Sequence, residues 1–197
     1  MSRDRFLAGG IFALGLAVLG GWTLSQTATP AMAADDGPGP NLVIEVAGAA
    51  SGKVVIDLLP DVAPKHVAQI VALAKAGSYD DVVFHRVIDG FMAQTGDVQY
   101  GKGGVTPRSG GGGSDLPDLP AEFSEISFDR GIVGMARSTA PDSANSQFFI
   151  MFAPGTFLDG QYTVVGRVVD GMEVVDAITR GEPPEAADRM AKVTVTE

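Results

Sequence analysis

Two stretches of the chain place polar side chains among aromatic and methionine residues, and they are the part of the sequence that could do chemistry. Residues 84–97 read FHRVIDGFMAQTGD, and residues 143–150 read SANSQFFI. Together they put Arg86, Gln94 and Gln147 beside phenylalanine and methionine. A guanidinium is almost never buried without a partner, and a strand core is normally aliphatic. The mixture therefore indicates a pocket rather than an ordinary core.

These two stretches closely resemble the cyclophilins, the barrel-shaped peptidyl-prolyl cis/trans isomerases. The resemblance continues through FLDG at residues 157–160 and VGRVVDGM at residues 165–172, and a weaker likeness runs from about Asn41 to the C-terminus. One short motif can recur by chance, but several spaced blocks in the same order rarely do. The chain is therefore identified from its motifs as a member of this family, which implies its fold and activity.

Prolyl isomerisation, the reaction that the resemblance implies, suits the residues present. The barrier of about 18–20 kcal/mol is the partial double-bond character of the amide, so no nucleophile, metal or cofactor is required. A cation that donates a hydrogen bond toward the prolyl nitrogen stabilises the twisted amide more than the planar one. Arg86 is permanently charged, and its planar fork could hold a carbonyl and the ring nitrogen at once.

The resemblance also implies the members of the site. Arg86 corresponds to the catalytic arginine, and Gln94 is placed with it, to bond substrate carbonyls or to orient the guanidinium. The residues that correspond to the proline pocket and the peptide-contacting wall are Phe91, Met92, Ala136, Gln147, Phe149, Phe157, Leu158 and Tyr162. Because strand residues alternate, only one of Phe148 and Phe149 can face that pocket.

Two of these positions depart from the family pattern. Phe157 stands where many eukaryotic members have tryptophan, and Tyr162 stands where they have histidine. Isomerase activity is expected to tolerate both changes. Tight cyclosporin binding is put in doubt, since the indole N–H that could donate a hydrogen bond is missing. The interval from Met135 to Gln147 is also one residue longer than in those members, so residues 138–145 are assigned no roles.

Short apolar runs bounded by turn residues predict a mostly β fold. The runs lie at residues 41–46, 53–59, 82–88, 91–95, 131–136, 147–152, 163–169 and 191–196. Apolar residues at helical spacing predict one helix from Pro64 to Gly77 and a second over 172–179. Such a pattern is typical of a closed antiparallel barrel. The resemblance implies eight strands capped by two α-helices.

Residues 101–120 are the low-complexity part of the chain and include glycines at 110–113. A flexible linker between domains is one interpretation, but the family motif resumes at Ala121. The segment is therefore predicted to be a long surface loop that leaves and rejoins one barrel and borders the substrate groove. The glycines lack the spacing of a phosphate-binding loop.

The N-terminus reads as a targeting signal. Arg3 and Arg5 precede an uncharged apolar run at residues 6–22, and Ala31-Met32-Ala33 is a cleavage motif with small residues. We expect residues 1–33 to be a secretory signal peptide, 34–40 a disordered lead-in and 41–197 the isomerase domain. The protein would then be exported, and a bacterial periplasm is the expected destination. The alternative is a membrane anchor at residues 6–22 that faces the periplasm, although this run is short for a bilayer span.

The composition narrows the partners. The formal net charge is −10 and there is no cysteine. Nucleic acid is not expected as a partner, because the basic residues are few and scattered. With two histidines and no cysteine, a structural zinc site is not supported either, and no cofactor is expected. We expect a monomer that acts on proline-containing polypeptides and makes no stable membrane contact after signal cleavage.

The resulting hypothesis is a peptidyl-prolyl isomerase that accelerates X-Pro isomerisation during folding of exported proteins, a step that takes on the order of 10–100 s uncatalysed. A non-catalytic proline-binding or holdase module is the second hypothesis, and the presence of Arg86, Phe91 and Gln94 counts against it. A barrel that carries a small apolar ligand is the third, and it requires an open interior. His85 is expected to be an ordinary strand histidine, and His66 to face solvent from the first helix.

Overall fold

A computed structural model describes residues 37–197, which fold into a nine-stranded antiparallel sheet and two α-helices. The strands are β1 (Asn41–Ala47), β2 (Gly52–Leu58), β3 (Val82–Val83), β4 (Arg86–Ile88), β5 (Met92–Thr95), β6 (Ile132–Met135), β7 (Phe148–Met151), β8 (Val164–Asp170) and β9 (Arg189–Thr196). The helices are α1 (Pro64–Lys75) and α2 (Met172–Ala177), and Thr156–Leu158 forms a 3₁₀ turn. The prediction of a mostly β fold with two helices is confirmed.

The expected closed barrel of eight strands was wrong in its details, because the run predicted as one strand at 82–88 divides in two. Neighbouring strands follow the order β3, β9, β1, β2, β8, β6, β7, β5, β4. Val82–Val83 pairs with β9 at one edge of this sheet, and Arg86–Ile88 pairs with β5 at the other. Phe84 and His85 connect the two edges. Within the described residues the edges are thus joined by the chain itself and not by a hydrogen-bonded ladder.

Alternate strand residues fill the interior of the sheet. Leu42, Ile44 and Val46 of β1 are buried, as expected for a strand with one face in the core. The core cluster that they join includes Ile56, Tyr79, Phe84, Phe148, Ile150 and Val165. Large apolar side chains occupy the space that a ligand-carrying barrel would leave open, so the third hypothesis is not supported.

Helix α1 begins at the predicted Pro64, but part of its polar face is covered by another segment of the chain. His66, expected to face solvent, is fully buried, and this expectation was wrong. Its Nδ1 lies 2.7 Å from Oε2 of Glu122, whose carboxylate also accepts the backbone N–H groups of Lys65 and His66. Burial raises the pKa of the Glu122 carboxyl, but these hydrogen bonds outweigh it and hold the pKa below its ordinary value. The loop after the glycine-rich segment thus caps α1, a contact that helical periodicity does not reveal.

The predicted signal peptide at residues 1–33 lies outside the described residues, and so do residues 34–36 of the predicted lead-in. Gly37 donates its N–H to Asp57 Oδ2 (3.1 Å), and the Pro40 carbonyl accepts the N–H of Leu58 (3.0 Å). Neither α1 nor α2 has the length and apolar character needed to span a bilayer, and residues 37–197 contain no other candidate.

Candidate active site

Neighbouring strands bring predicted site residues into one row. Arg86 on β4 lies opposite Gln94 on β5, which lies opposite Phe149 on β7. Phe149 in turn lies opposite Gly134 on β6. Directly opposed residues of antiparallel strands project to the same face. A guanidinium, an amide and a phenyl ring therefore stand side by side on one face of the sheet.

Gly134 leaves the space that the ring of Phe149 occupies. A Cβ atom at this position would lie 2.5 Å from Phe128 Cε1 and 2.6 Å from Phe149 Cζ. The two rings are stacked, with centroids 5.7 Å apart and an interplanar angle of 25°. The absence of a side chain at Gly134 is thus what allows Phe149 to lie in its observed position.

A pocket of about 300 Å³ opens beside this row. All of the predicted site residues except Gln147 line it, together with Arg137; the full lining is Arg86, Phe91, Met92, Gln94, Ala136, Arg137, Phe149, Phe157, Leu158 and Tyr162. Met92, Phe149 and Leu158 are almost completely buried and belong to one apolar cluster. The pocket therefore has an apolar base with polar groups along one side.

Aromatic rings form the rim of the pocket. The rings of Phe91 and Phe157 have centroids 5.5 Å apart, and Phe157 is 64% exposed. Tyr162 meets Phe149 edge-on at 5.9 Å. The prediction that only one of the adjacent phenylalanines can face the pocket is confirmed, since Phe149 lines it and Phe148 belongs to the main core.

A chain of hydrogen bonds orients the polar side of the pocket. Gln147 donates from Nε2 to the carbonyls of Gly110 (3.0 Å) and Gly112 (2.7 Å). Its Oε1 is therefore free to accept from Gln94 Nε2 at 3.0 Å. Gln94 must then present Oε1 to Arg86, whose Nη1 donates to it at 3.5 Å. Each amide can adopt only one orientation, and the last oxygen in the chain faces the guanidinium.

The glycine-rich loop, where this series of hydrogen bonds begins, is held by a fully buried carboxylate. Asp97 Oδ2 accepts the N–H groups of Gly110 (2.7 Å) and Gly112 (3.1 Å), and its Oδ1 accepts those of Gln99 and Tyr100. The loop is thus bound through its N–H groups by Asp97 and through its carbonyls by Gln147. These contacts anchor the loop, whereas a flexible linker would not be expected to have such contacts.

Gln147 lines an adjoining pocket of about 480 Å³ instead of the first. The two pockets share Gln94, Ala136 and Arg137. The glycine-rich loop forms another part of this second lining, from Gly110 to Ser114. A peptide could therefore extend from one pocket into the other along the shared residues.

Sequence reasoning missed two residues beside the site. Arg137 lies with its Cζ 4.4 Å from the centroid of the Tyr162 ring, and it donates to the carbonyls of Ser138 (2.9 Å) and Gln161 (3.0 Å). Its place directly after Ala136 could have indicated it. Glu182 accepts a hydrogen bond from Arg86 Nε at 2.9 Å. No local pattern marks Glu182, because it lies outside the strands and far along the chain.

His85 adjoins Arg86 but is buried, with 5% of its surface exposed. Burial lowers the pKa of its ring, against the opposing effect of the Asp97 carboxylate, so the neutral form is favoured near pH 7. Residues 37–197 contain no cluster of three or more acidic, histidine or cysteine side chains that could hold a metal ion. The chemistry available at the pocket is hydrogen bonding from a fixed cation beside an apolar surface.

The family model for cyclophilin-type peptidyl-prolyl cis-trans isomerase/CLD matches residues 42–197. This chain belongs to the cyclophilins. A probable peptidyl-prolyl cis-trans isomerase of Brucella suis is 59% identical to this cyclophilin over 152 residues, which cover 73% of this chain and 78% of the relative. A peptidyl-prolyl cis-trans isomerase of Arabidopsis thaliana is 35% identical over 150 residues, which cover 73% and 90% of the two chains.

Solved cyclophilin structures agree with the fold. A cyclophilin of Hirschia baltica superposes with a TM-score of 0.69 at 29% identity, covering 81% of this chain and 74% of that one. A Cryptosporidium parvum cyclophilin, whose crystal structure was determined in the presence of the dipeptide Ala-Pro, gives a TM-score of 0.69 at 25% identity and covers 80% and 99%. The protein is therefore a cyclophilin-type peptidyl-prolyl cis-trans isomerase, as the motifs implied.

Proposed function

We propose that the 300 Å³ pocket binds the proline ring of the substrate and that Arg86 is the catalytic group. One observation carries this proposal. Arg86 uses Nε and Nη1 for Glu182 and Gln94, and its Nη2 has no hydrogen-bond partner within residues 37–197. Arg86 lines the apolar pocket, so a guanidinium nitrogen with no hydrogen-bond partner among residues 37–197 is available to the substrate.

The proposed reaction needs only this donor and the apolar base. A proline ring seated against Met92, Phe149 and Leu158 is held in place, so rotation about the X-Pro bond moves the residue that precedes the proline. As the amide twists, its nitrogen becomes pyramidal and gains a lone pair that can accept from Arg86. The hydrogen bond is stronger in the twisted state than in the planar one, which is the condition for a higher rate.

Replacing Arg86 tests the proposal. Arg86→Ala is expected to reduce kcat/KM for an X-Pro peptide by about 100-fold or more, the usual cost of removing one transition-state donor. Arg86→Lys is expected to recover only part of the loss, since lysine offers a point charge instead of a planar fork. Arg189→Ala is the matched control, because Arg189 is also half-exposed and ion-paired, to Asp81 at 3.3 Å, and it does not line the pocket. Full activity in Arg86→Ala would contradict the proposed role.

We also propose that the substrates are exported proteins whose folding waits for X-Pro isomerisation, and that the enzyme is a periplasmic monomer. The signal-like residues 1–33 support export. Cell fractionation with N-terminal sequencing tests this directly. A periplasmic protein that begins at Ala34 supports the proposal, and a membrane-bound protein that retains residues 6–22 supports the anchor. Light scattering of the purified enzyme gives the oligomeric state.

A further inference from the structure

Arg86 has an acidic neighbour that belongs to no strand of the sheet. Between α2 and β9, Gly181 forms an isolated antiparallel bridge with Val87. The bridge has two reciprocal hydrogen bonds of 2.8 Å, from each N–H to the other carbonyl. In an antiparallel pair the residue after one partner lies opposite the residue before the other. Glu182 is therefore placed directly opposite Arg86 by the backbone.

Arg86 is consequently flanked on both sides by acceptors. On β5 its cross-strand neighbour is Gln94, and on the other side Glu182, the residue after the bridged Gly181, contacts its side chain. The carboxylate of Glu182 binds Nε at 2.9 Å, and the amide oxygen of Gln94 binds Nη1 at 3.5 Å. Hydrogen bonds at two different nitrogens fix both the position and the plane of a guanidinium. Nη2 is the guanidinium nitrogen that has no hydrogen-bond partner among residues 37–197.

We infer that Glu182 is a positioning residue for Arg86: its carboxylate holds Nε so that Nη2 is presented to the proline pocket. This inference rests on the proposed catalytic role of Arg86. Arginine has several rotatable bonds, and ordering it at each turnover would oppose catalysis. A neighbour that orders it beforehand contributes to the rate without touching the substrate.

The same carboxylate also has an opposing effect. Its negative charge weakens the attraction between Arg86 and a substrate lone pair. The side chains of Arg86 and Glu182 are 41% and 52% exposed, so that water screens this charge effect. Orientation depends on the hydrogen bond itself and is screened less. Orientation is therefore the larger effect, and losing the carboxylate slows the enzyme.

Three substitutions separate these effects. Glu182→Ala removes the acceptor and the charge, and kcat is expected to fall about threefold to tenfold with KM nearly unchanged, the size associated with ordering one long side chain. Glu182→Gln keeps an acceptor for Nε without the charge, and it is expected to retain most of the wild-type kcat. Glu185→Ala removes an exposed carboxylate from the same loop that has no hydrogen bond or ion pair within residues 37–197, and it is expected to match wild type.

A spectroscopic measurement tests orientation independently of turnover. The ¹⁵Nε–Hε signal of Arg86 in the full-length protein is expected to show slow exchange with water in wild type and in Glu182→Gln. In Glu182→Ala this protection is expected to be lost. A substitution that merely loosened the loop would not be rescued by glutamine, so the two readouts together identify a positioning role.

These experiments distinguish a failure of the positioning role of Glu182 from a failure of the proposed catalytic role of Arg86. If Arg86→Ala is fully active, the catalytic role of Arg86 fails, and this inference fails with it. If Arg86→Ala is inactive but Glu182→Ala equals wild type, the inference alone is overturned. A faster Glu182→Ala would also overturn it, because the carboxylate would then compete with substrate for the guanidinium. An effect confined to KM and dependent on peptide charge would instead make Glu182 a substrate contact.

Discussion

Substituting Gly134 by alanine should damage both the stability and the pocket of this cyclophilin. The new Cβ would lie 2.5 Å from Phe128 and 2.6 Å from Phe149, closer than real Cβ contacts occur. Both neighbours are rings in the same buried apolar cluster, so neither can rotate away as a flexible side chain would. Placing an extra methyl group in a packed core costs about 1–3 kcal/mol, and the close approach to two rigid rings favours the upper half of that range.

Urea unfolding and steady-state kinetics together measure this effect. With an m-value of about 1–3 kcal/mol/M, a loss of about 2 kcal/mol lowers the urea midpoint by roughly 0.7–2 M. Because Phe149 lines the pocket, its displacement is expected to raise KM for an X-Pro peptide as well. The kinetic assay is done well below the transition, so that only folded enzyme is compared.

Gly155→Ala is the matched control for Gly134→Ala. Its Cβ would lie 2.6 Å from the terminal methyl group of Met151, the end of a flexible side chain. A methionine can adopt another rotamer at low cost, so the expected destabilisation is smaller than in Gly134→Ala. Equal stability of Gly134→Ala and wild type would refute the reasoning that the space at Gly134 is required by the rings.

Three further predictions concern other parts of the site. Asp97→Asn is expected to destabilise the fold by about 2 kcal/mol or more, since the fixed carboxylate accepts four backbone N–H groups and an amide cannot replace both oxygens; urea unfolding measures it. Burial depresses the pKa of His85 in the folded state, so the unfolded state binds more protons and stability falls as the pH drops below about 6.5. Unfolding at pH 7.5 and 5.5 should show a smaller loss for His85→Gln than for wild type. Phe157→Trp is expected to tighten cyclosporin binding in a titration, because it supplies the missing indole N–H, and unchanged affinity would contradict that explanation.

Four of the pocket residues, Arg86, Met92, Gln94 and Phe149, lie on strands, where alternation determines which face a side chain occupies. Arg86, Gln94 and Phe149 are separated by up to 63 residues in the chain, yet each is the direct cross-strand neighbour of the next. Because side chains alternate between the two faces of a strand, the members of such a row can be predicted once the strands are recognised. The same reasoning correctly separated Phe149 from Phe148.

Irregular segments are where prediction failed. The break at Phe84 and His85, which divides one predicted strand into β3 and β4, has no glycine or proline to signal it. The burial of His66 depends on Glu122 from a distant loop. Contacts made by loops at long sequence separation have no periodicity, so the partners of such groups become known only from the tertiary structure.

The position of Arg86 depends on two segments that meet it from opposite sides. From one side, Asp97 fixes the glycine-rich loop, the loop fixes Gln147, and Gln147 determines which end of Gln94 faces the guanidinium. On the other side, a single backbone bridge at Gly181 sets the place of Glu182. The first segment is held by a buried carboxylate, whereas the second meets Arg86 through a half-exposed ion pair. Perturbing the glycine-rich loop should therefore cost stability as well as activity, whereas perturbing Glu182 should change the rate and leave the fold intact.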